Sequence, residues 1–168
     1  MRPIPTLETD RLIMRAPEKS DFSVYREFYG DAAASKFYGG PKSESESWDK
    51  LAGDLGHWHL RGYGLWALQT KTENQTVGAC GLVWPHGWQR PELTWWIASN
   101  ARRKGFAREA SVAAIRFGYQ QLKWDLVQTY MKDENQAARA LVLSLGGTKI
   151  ARETFPDGLD RDVYRLPQ

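Results

Sequence analysis

Between Asp10 and Ala16 the chain alternates: Leu12 and Met14 are set against Arg11 and Arg15, around a central Ile13. Strand side chains point to alternate faces, so this period of two predicts a half-buried β-strand. Pro17 stops it. Over Asp21 to Tyr29 the period lengthens. Phe22, Tyr25 (or Val24) and Phe28-Tyr29 recur at helical spacing up to Gly30, predicting a helix. Tyr38-Gly39-Gly40-Pro41 reads as a loop. Ser43 and Glu46 then stand in the relation of a capping box, which opens a second helix. Its apolar face would carry Trp48, Leu51, Ala52, Leu55 and His59, and Gly62 would close it. From Gly64 the period returns to two. Gly64 to Gln69 and Thr76 to Val83, joined by a polar turn, predict a hairpin. After a loop from Pro85 to Pro91 comes a strand from Glu92 to Ala98. A long amphipathic helix follows, with Phe106, Ala110, Ala113, Ala114 and Phe117 as its stripe. A strand from about Leu126 to Met131 leads to a helix from Glu134, carrying Ala138, Leu141 and Leu145 up to Gly146-Gly147. Two strands around the turn Pro156-Asp157-Gly158 end the chain. The order β-α-α-β-β-β-α-β-α-β-β predicts an α/β domain whose sheet is buried under helices.

Composition narrows this picture. The 168 residues show no compositional break and no repeat, which predicts one domain over 1–168. With 42% hydrophobic and 26% charged residues, the chain is unlike a disordered one. No apolar run approaches the roughly 18 residues of a membrane span. The opening Met1 to Thr6 is not followed by an apolar segment, which predicts no signal peptide and a cytoplasmic protein. A single cysteine, Cys80, with three histidines leaves little for a disulfide or a metal site. Cys80, flanked by Ala and Gly, reads as a small buried hydrophobe. A net charge of +3 is too small to point to a nucleic acid. The unusual count is eight Trp, with seven Tyr and six Phe; these rings need a core or a pocket.

Gly62-Tyr63-Gly64-Leu65-Trp66-Ala67 formally matches a dinucleotide fingerprint, but it leaves a helix and enters a strand, the reverse of what that motif needs. The informative stretch is Arg102-Arg103-Lys104-Gly105-Phe106-Ala107, followed by Arg108. It joins a strand to a helix, so free N–H groups and the positive helix end create an anion site beside three cationic side chains. A pyrophosphate fits that chemistry.

Together with Leu7 to Arg15, Gly62 to Ala67, Val77 to Leu82, Glu92 to Ala98 and Asp133 to Arg139, this stretch gives the chain a sequence that resembles GNAT-type N-acetyltransferases, in their RimJ/RimL-like branch. The resemblance implies a single-domain GNAT fold, with a mixed, mostly antiparallel, splayed sheet flanked by helices. It implies acetyl-CoA as co-substrate, no metal, and an amine acceptor: a protein N-terminus or a small molecule. Membrane and nucleic acid are not expected as partners, and monomer and homodimer both stay open. The resemblance places the coenzyme pyrophosphate on Arg102 to Arg108. It places the pantetheine arm along the backbone of Trp96, Ile97 and Ala98, with an N–H there receiving the carbonyl oxygen, and it brings Asn135 to the coenzyme.

The chain departs from the pattern in several places. Arg103 stands where the family commonly has Gly, Ala138 where many relatives have Ser, and Val142 where others have Tyr. No side chain offers itself as the acid, and water is left to protonate the thiolate. Glu92 is the first candidate for the base that takes a proton from the amine; the competing reading pairs it with Arg90. Asp133, Glu134 and His86 are weaker candidates. Tyr38, Trp84, Trp88 and Trp95 would form an aromatic wall for the acceptor. A non-catalytic acetyl-CoA sensor is the alternative.

Overall fold

The computed structural model describes residues 3–168; Met1 and Arg2, the start of the stretch read above for a signal peptide, lie outside the described residues. The chain forms β1 (Leu7–Glu8), β2 (Leu12–Arg15), α1 (Phe22–Gly30), α2 (Glu44–Arg61), β3 (Leu65–Thr70), β4 (Thr76–Val83) and β5 (Glu92–Ile97). It continues through α3 (Phe106–Gln120), β6 (Val127–Met131), α4 (Gln136–Ser144), β7 (Thr148–Thr154) and β8 (Asp160–Leu166). The order is the one the periodicities predict, with β1 added; two residues are too few to display a period.

The strands form two sheets, β1-β2-β3-β4-β5 and β6-β8-β7. Every ladder between the described strands is antiparallel. β5 and β6 lie side by side with no ladder between them. This is the splay, and it leaves one edge of β5 open.

Side-chain alternation then sorts the core. Leu65, Ala79 and Trp96 face Tyr25, Phe28 and Tyr29 of α1 and Leu51 of α2. Trp66, Leu68, Cys80, Leu82 and Leu93 join the cluster containing Ala110, Ala114, Ile115 and Phe117 of α3. Three tryptophans, Trp58, Trp66 and Trp96, are almost wholly buried, which places much of the aromatic surplus in the core.

The capping box of α2 closes as expected. The Glu46 N–H donates to Ser43 Oγ at 3.2 Å, and Glu46 Oε2 accepts from the Ser43 N–H at 2.7 Å. Gly62, at φ 78, ends the helix. The buried face of α2, however, is Ser47, Leu51, Asp54 and Trp58, in place of the expected face through Trp48, Ala52, Leu55 and His59; Trp48 is 42% exposed. The reason is polar satisfaction. Ser47 Oγ donates to the Ser43 carbonyl at 2.8 Å, and Asp54 accepts from Tyr25 Oη at 2.9 Å and from Lys50. Buried polar groups with partners are tolerated, and apolar spacing alone assigns them to solvent.

β3 and β4 approach so closely that a Cβ added at Gly81 would lie 2.1 Å from the Gly64 carbonyl oxygen. Main chain cannot rotate away as a side-chain tip can. Gly81→Ala should therefore cost about 2–3 kcal/mol, read as a lower urea midpoint at unchanged slope. An unchanged midpoint would show that the hairpin yields.

Candidate active site

After β5 a short helical turn, Ser99–Ala101, leads into the basic turn and then α3. Arg103 (φ 60) and Gly105 (φ 83) both take left-handed backbone conformations, which turn the chain sharply into the helix. The first bond into the end of α3 runs from the Glu109 N–H to the Gly105 carbonyl, and no side chain caps it. The N–H groups of Phe106, Ala107 and Arg108 thus have no helical partner, as an anion site requires. Arg102, Arg103 and Lys104 are exposed beside them, and Arg102 Nε donates to the Ile97 carbonyl at 3.2 Å.

Arg11, which sequence reasoning passed over, holds this turn. Its Nη1 donates to the Lys104 carbonyl at 2.7 Å, its Nε to Glu109 at 2.7 Å, and its guanidinium lies 4.6 Å over the Phe106 ring. Glu109 also accepts from Thr9 Oγ1 at 2.5 Å and from the Arg11 N–H at 2.8 Å. The short strand β1 and the loop after it are thereby tied to α3.

The Ala98 N–H donates to Val77 at 2.8 Å. Antiparallel alternation then directs the backbone of Trp96 and Thr94 toward β4, and that of Ile97, Trp95 and Leu93 toward the gap. The three gap-facing carbonyls are occupied: Leu93 by Thr129 Oγ1 at 2.8 Å, Trp95 by Tyr38 Oη at 2.5 Å, and Ile97 by Arg102. What the edge still offers is N–H groups. Within the expected Trp96–Ala98 stretch, only the Ile97 N–H faces the gap.

The gap opens into a cavity of about 150 Å³ whose wall includes Tyr38, Trp88, Glu92, Trp95, Asn135 and Arg161. Asn135 caps α4, its Oδ1 accepting from the Ala138 N–H at 3.1 Å, which leaves its NH₂ to donate. Ala138 also lines this cavity, and Val142 is fully buried. A second cavity of about 410 Å³ lies against α2, walled in part by Tyr29, Phe37, Lys50, His57 and Trp96. Phe37, Tyr38, Glu92 and Thr94 belong to both.

Glu92 therefore stands where two cavities meet. It makes no ion pair with Arg90, because Arg90 grips Glu153 at 2.5 and 2.8 Å and Gln128 at 2.7 Å. Arg161 is likewise taken by Asp157 at 2.7 and 2.8 Å. Glu92 keeps a little solvent contact at the cavity mouth, and protein atoms crowd it elsewhere. Burial pushes its carboxyl up to about 8, against the pull of Arg161, the Tyr130 hydroxyl and Lys50. A carboxyl that titrates near neutrality is suited to taking a proton.

Of the aromatic candidates, Tyr38, Trp88 and Trp95 reach the cavity walls. Trp88 stacks on Tyr130 at 5.9 Å. Trp84 belongs to neither wall: its Nε1 donates to the Trp88 carbonyl at 2.7 Å, and its ring lies 5.5 Å from the Arg61 guanidinium. It braces the loop. Trp96 turns its ring into α1, 4.5 Å from Phe28 and 4.9 Å from Tyr25, and offers the gap nothing from its side chain. Asp133 is engaged by Arg152 at 2.9 Å, and His86 and Glu134 are exposed away from both walls. His57 has both ring nitrogens engaged, with Tyr63 O at 2.6 Å and the Trp84 N–H at 3.0 Å. Burial raises the Cys80 thiol to about 12, which unfits it as a nucleophile. Thr129, Tyr130, Arg161 and Lys50 surround the site without any sequence motif to announce them. Among the described residues no three His, Cys, Asp or Glu side chains gather as a metal site would require.

The sequence pattern of the acetyltransferase (GNAT) domain matches residues 11–148. The chain belongs to the GNAT acetyltransferase family. It is similar to the uncharacterized N-acetyltransferase YoaA of Bacillus subtilis, with 25% identity over 172 residues and 96% of each chain covered. The crystal structure of an acetyltransferase from Agrobacterium tumefaciens superimposes with a TM-score of 0.89 at 28% identity, covering 100% of this chain and 97% of that one. The same fold recurs in RimL, a ribosomal L7/L12 α-N-protein acetyltransferase solved with coenzyme A, at a TM-score of 0.73, 17% identity and coverage of 98% and 97%. This GNAT domain is an acetyl-CoA-dependent N-acetyltransferase. No described helix is long and apolar enough to cross a membrane.

Proposed function

We propose that the enzyme acetylates a primary amine by direct attack, with Glu92 as general base, the coenzyme in the β5–β6 gap and the acceptor in the cavity against α2. The observation that carries this reading is the position of Glu92 at the junction of the two cavities, with no ion-pair partner among the described residues.

The gap suits acetyl-CoA. Its open N–H edge matches the carbonyls of a pantetheine arm, and the uncapped start of α3 matches a pyrophosphate. Arg102, Arg103 and Lys104 would supply charge to the phosphates, and Gly105, Phe106, Ala107 and Arg108 main-chain donors. Trp95 and Ile97 would pair with the arm, the Ile97 N–H standing nearest the role of carbonyl donor. Asn135 would donate its free NH₂. When bound, acetyl-CoA supplies a thioester carbonyl that a neutral amine attacks. Glu92 takes the proton that the amine must lose, and Tyr38 holds the β5 backbone at Trp95 while this occurs.

The aromatic lining of the acceptor cavity, Tyr29, Phe37, Tyr38 and Trp96, favours an amine with a bulky or apolar stem over a small polar one. A protein N-terminus and a small molecule both present such a group. A cytoplasmic location completes the reading. The test is thiol release from acetyl-CoA across a panel of primary, secondary and tertiary amines. Turnover is expected with primary amines bearing apolar stems. Tight acetyl-CoA binding with no turnover on any amine would sink the proposal and favour a sensor.

A further inference from the structure

Three cations near Glu92 are each matched to a different carboxylate. Arg90, from the loop before β5, holds Glu153 of β7. Lys50 of α2 is paired with Asp54. Arg161 of β8 holds Asp157 on the β7–β8 turn. Arg161 and Lys50 both pull on Glu92, Arg161 the more strongly, and Arg161 acts on Tyr130 as well as on its own partner. It is 7% exposed, lines the same cavity as Glu92, and packs against two adjoining rings, its guanidinium 5.2 Å from Trp88 and 5.3 Å from Phe155. The other groups facing Glu92 are few. Tyr130 and Lys132 belong to the β6 side and Tyr38 to the loop after α1, while Asp49, Asp54 and His57 belong to α2. The Tyr130 hydroxyl donates to the Arg90 carbonyl at 3.2 Å.

We propose that Asp157 is a positioning residue for the base: its two-pronged grip on Arg161 keeps that guanidinium from pairing with Glu92. The inference rests on the reading of Glu92 as base. A carboxylate in a close pair with Arg holds its proton less well and is a poorer acceptor of one. Arg161 is buried, and a buried charge stripped of its partner seeks another. Asp157 also has the geometry of a built clamp. Its two oxygens meet the two Nη atoms at 2.8 and 2.7 Å, and its Oδ1 accepts the Leu159 N–H at 3.2 Å, fixing the carboxylate on the turn. Substitution there should spare the fold, because the Asp157 side chain is about one-third exposed (35%).

The experiment is a carbon-13 NMR titration of the Glu92 carboxyl, run beside pH profiles of kcat/KM, in wild type, Asp157→Asn and Asp157→Asn/Arg161→Gln. In Asp157→Asn the freed guanidinium should turn to Glu92, lower its titration midpoint by about 1–2 pH units, and move the acidic limb of the profile with it. The plateau of kcat/KM should fall about tenfold, as for a weaker base. Removing Arg161 as well should return the midpoint and limb toward wild type, which a merely structural role for Asp157 would not do. A Glu92 midpoint unchanged in Asp157→Asn overturns the proposal. Failure of the base reading is separable: it would appear as an acidic limb that survives in Glu92→Gln, while the NMR midpoint still reports on the clamp.

Discussion

Glu92→Gln is expected to lower kcat/KM by about 100- to 1,000-fold, the range that loss of a positioned general base produces. It should also raise stability at alkaline pH. Both follow from one carboxyl. In the wild type kcat/KM should climb with pH through about 8, as burial delays ionisation of Glu92 to that value. In the variant the remaining climb should follow the free amine of the acceptor alone. For stability, the folded chain keeps the Glu92 proton up to about 8, whereas the unfolded chain releases it near the ordinary value of 4.5. Between those values the folded state binds more protons, so wild-type stability is lost as pH rises through that window and the loss is complete above it. Glutamine carries no such slope. At pH 9 the variant should exceed the wild type by a few kcal/mol, on the order of the linkage energy after allowance for the partial solvent contact of the side chain. At pH 4 the two should converge. Paired urea titrations at the two pH values measure this. Equal activity, or a stability difference that ignores pH, would remove Glu92 from the mechanism.

Such a pairing of lost activity with gained stability is what a site built for chemistry displays. It also shows what the sequence could and could not convey. The strands, the capping box and the turn into α3 are written in short-range patterns: alternation in Leu12 to Arg15, Ser43 with Glu46, and Gly105 after three cations. These were legible because the physics that sets them is local. The buried face of α2 was not, since Ser47 and Asp54 become core only through partners, one of them Tyr25 on another helix. Trp84 illustrates the same limit. Its place beside the Glu92 strand suggested the acceptor wall, and its indole N–H is instead consumed by its own loop. The surroundings of Glu92 were the least legible part. Arg90, two residues away, looked like its partner, and only the fold brings Glu153 from β7 to claim that arginine. Arg11 lies 94 positions from Gly105, and no spacing rule joins a β2-flanking arginine to a helix start.

Gly105→Val is expected to weaken acetyl-CoA binding by about 10- to 100-fold, the largest effect foreseen on the coenzyme side. Gly105 sits at φ 83, a region a β-branched residue enters at a cost of about 1–3 kcal/mol. Space is not the main obstacle, because a Cβ there would meet only Arg11 Nη2, at 3.3 Å, the tip of a flexible side chain. The variant can relieve its strain by leaving the left-handed region, but that redirects the N–H groups of Phe106, Ala107 and Arg108, the donors that define the anion site. Its alternative is to stay strained and crowd Arg11, which holds Lys104 and Glu109. Either route weakens the phosphate cradle while leaving the core of α3, centred on Ala110 and Ala114, in place. Gly105→Asn separates conformation from bulk, since asparagine enters the left-handed region far more readily. Its loss should be several-fold smaller than that of valine. Calorimetric titration with acetyl-CoA measures both, and the unfolding midpoint of each variant guards against a collapsed fold. If Gly105→Val binds acetyl-CoA as wild type does, the phosphates are held elsewhere and the assignment of Arg102 to Arg108 falls. If Asn and Val weaken binding equally, side-chain bulk beside Arg11, and not the left-handed turn, is what the site cannot accept.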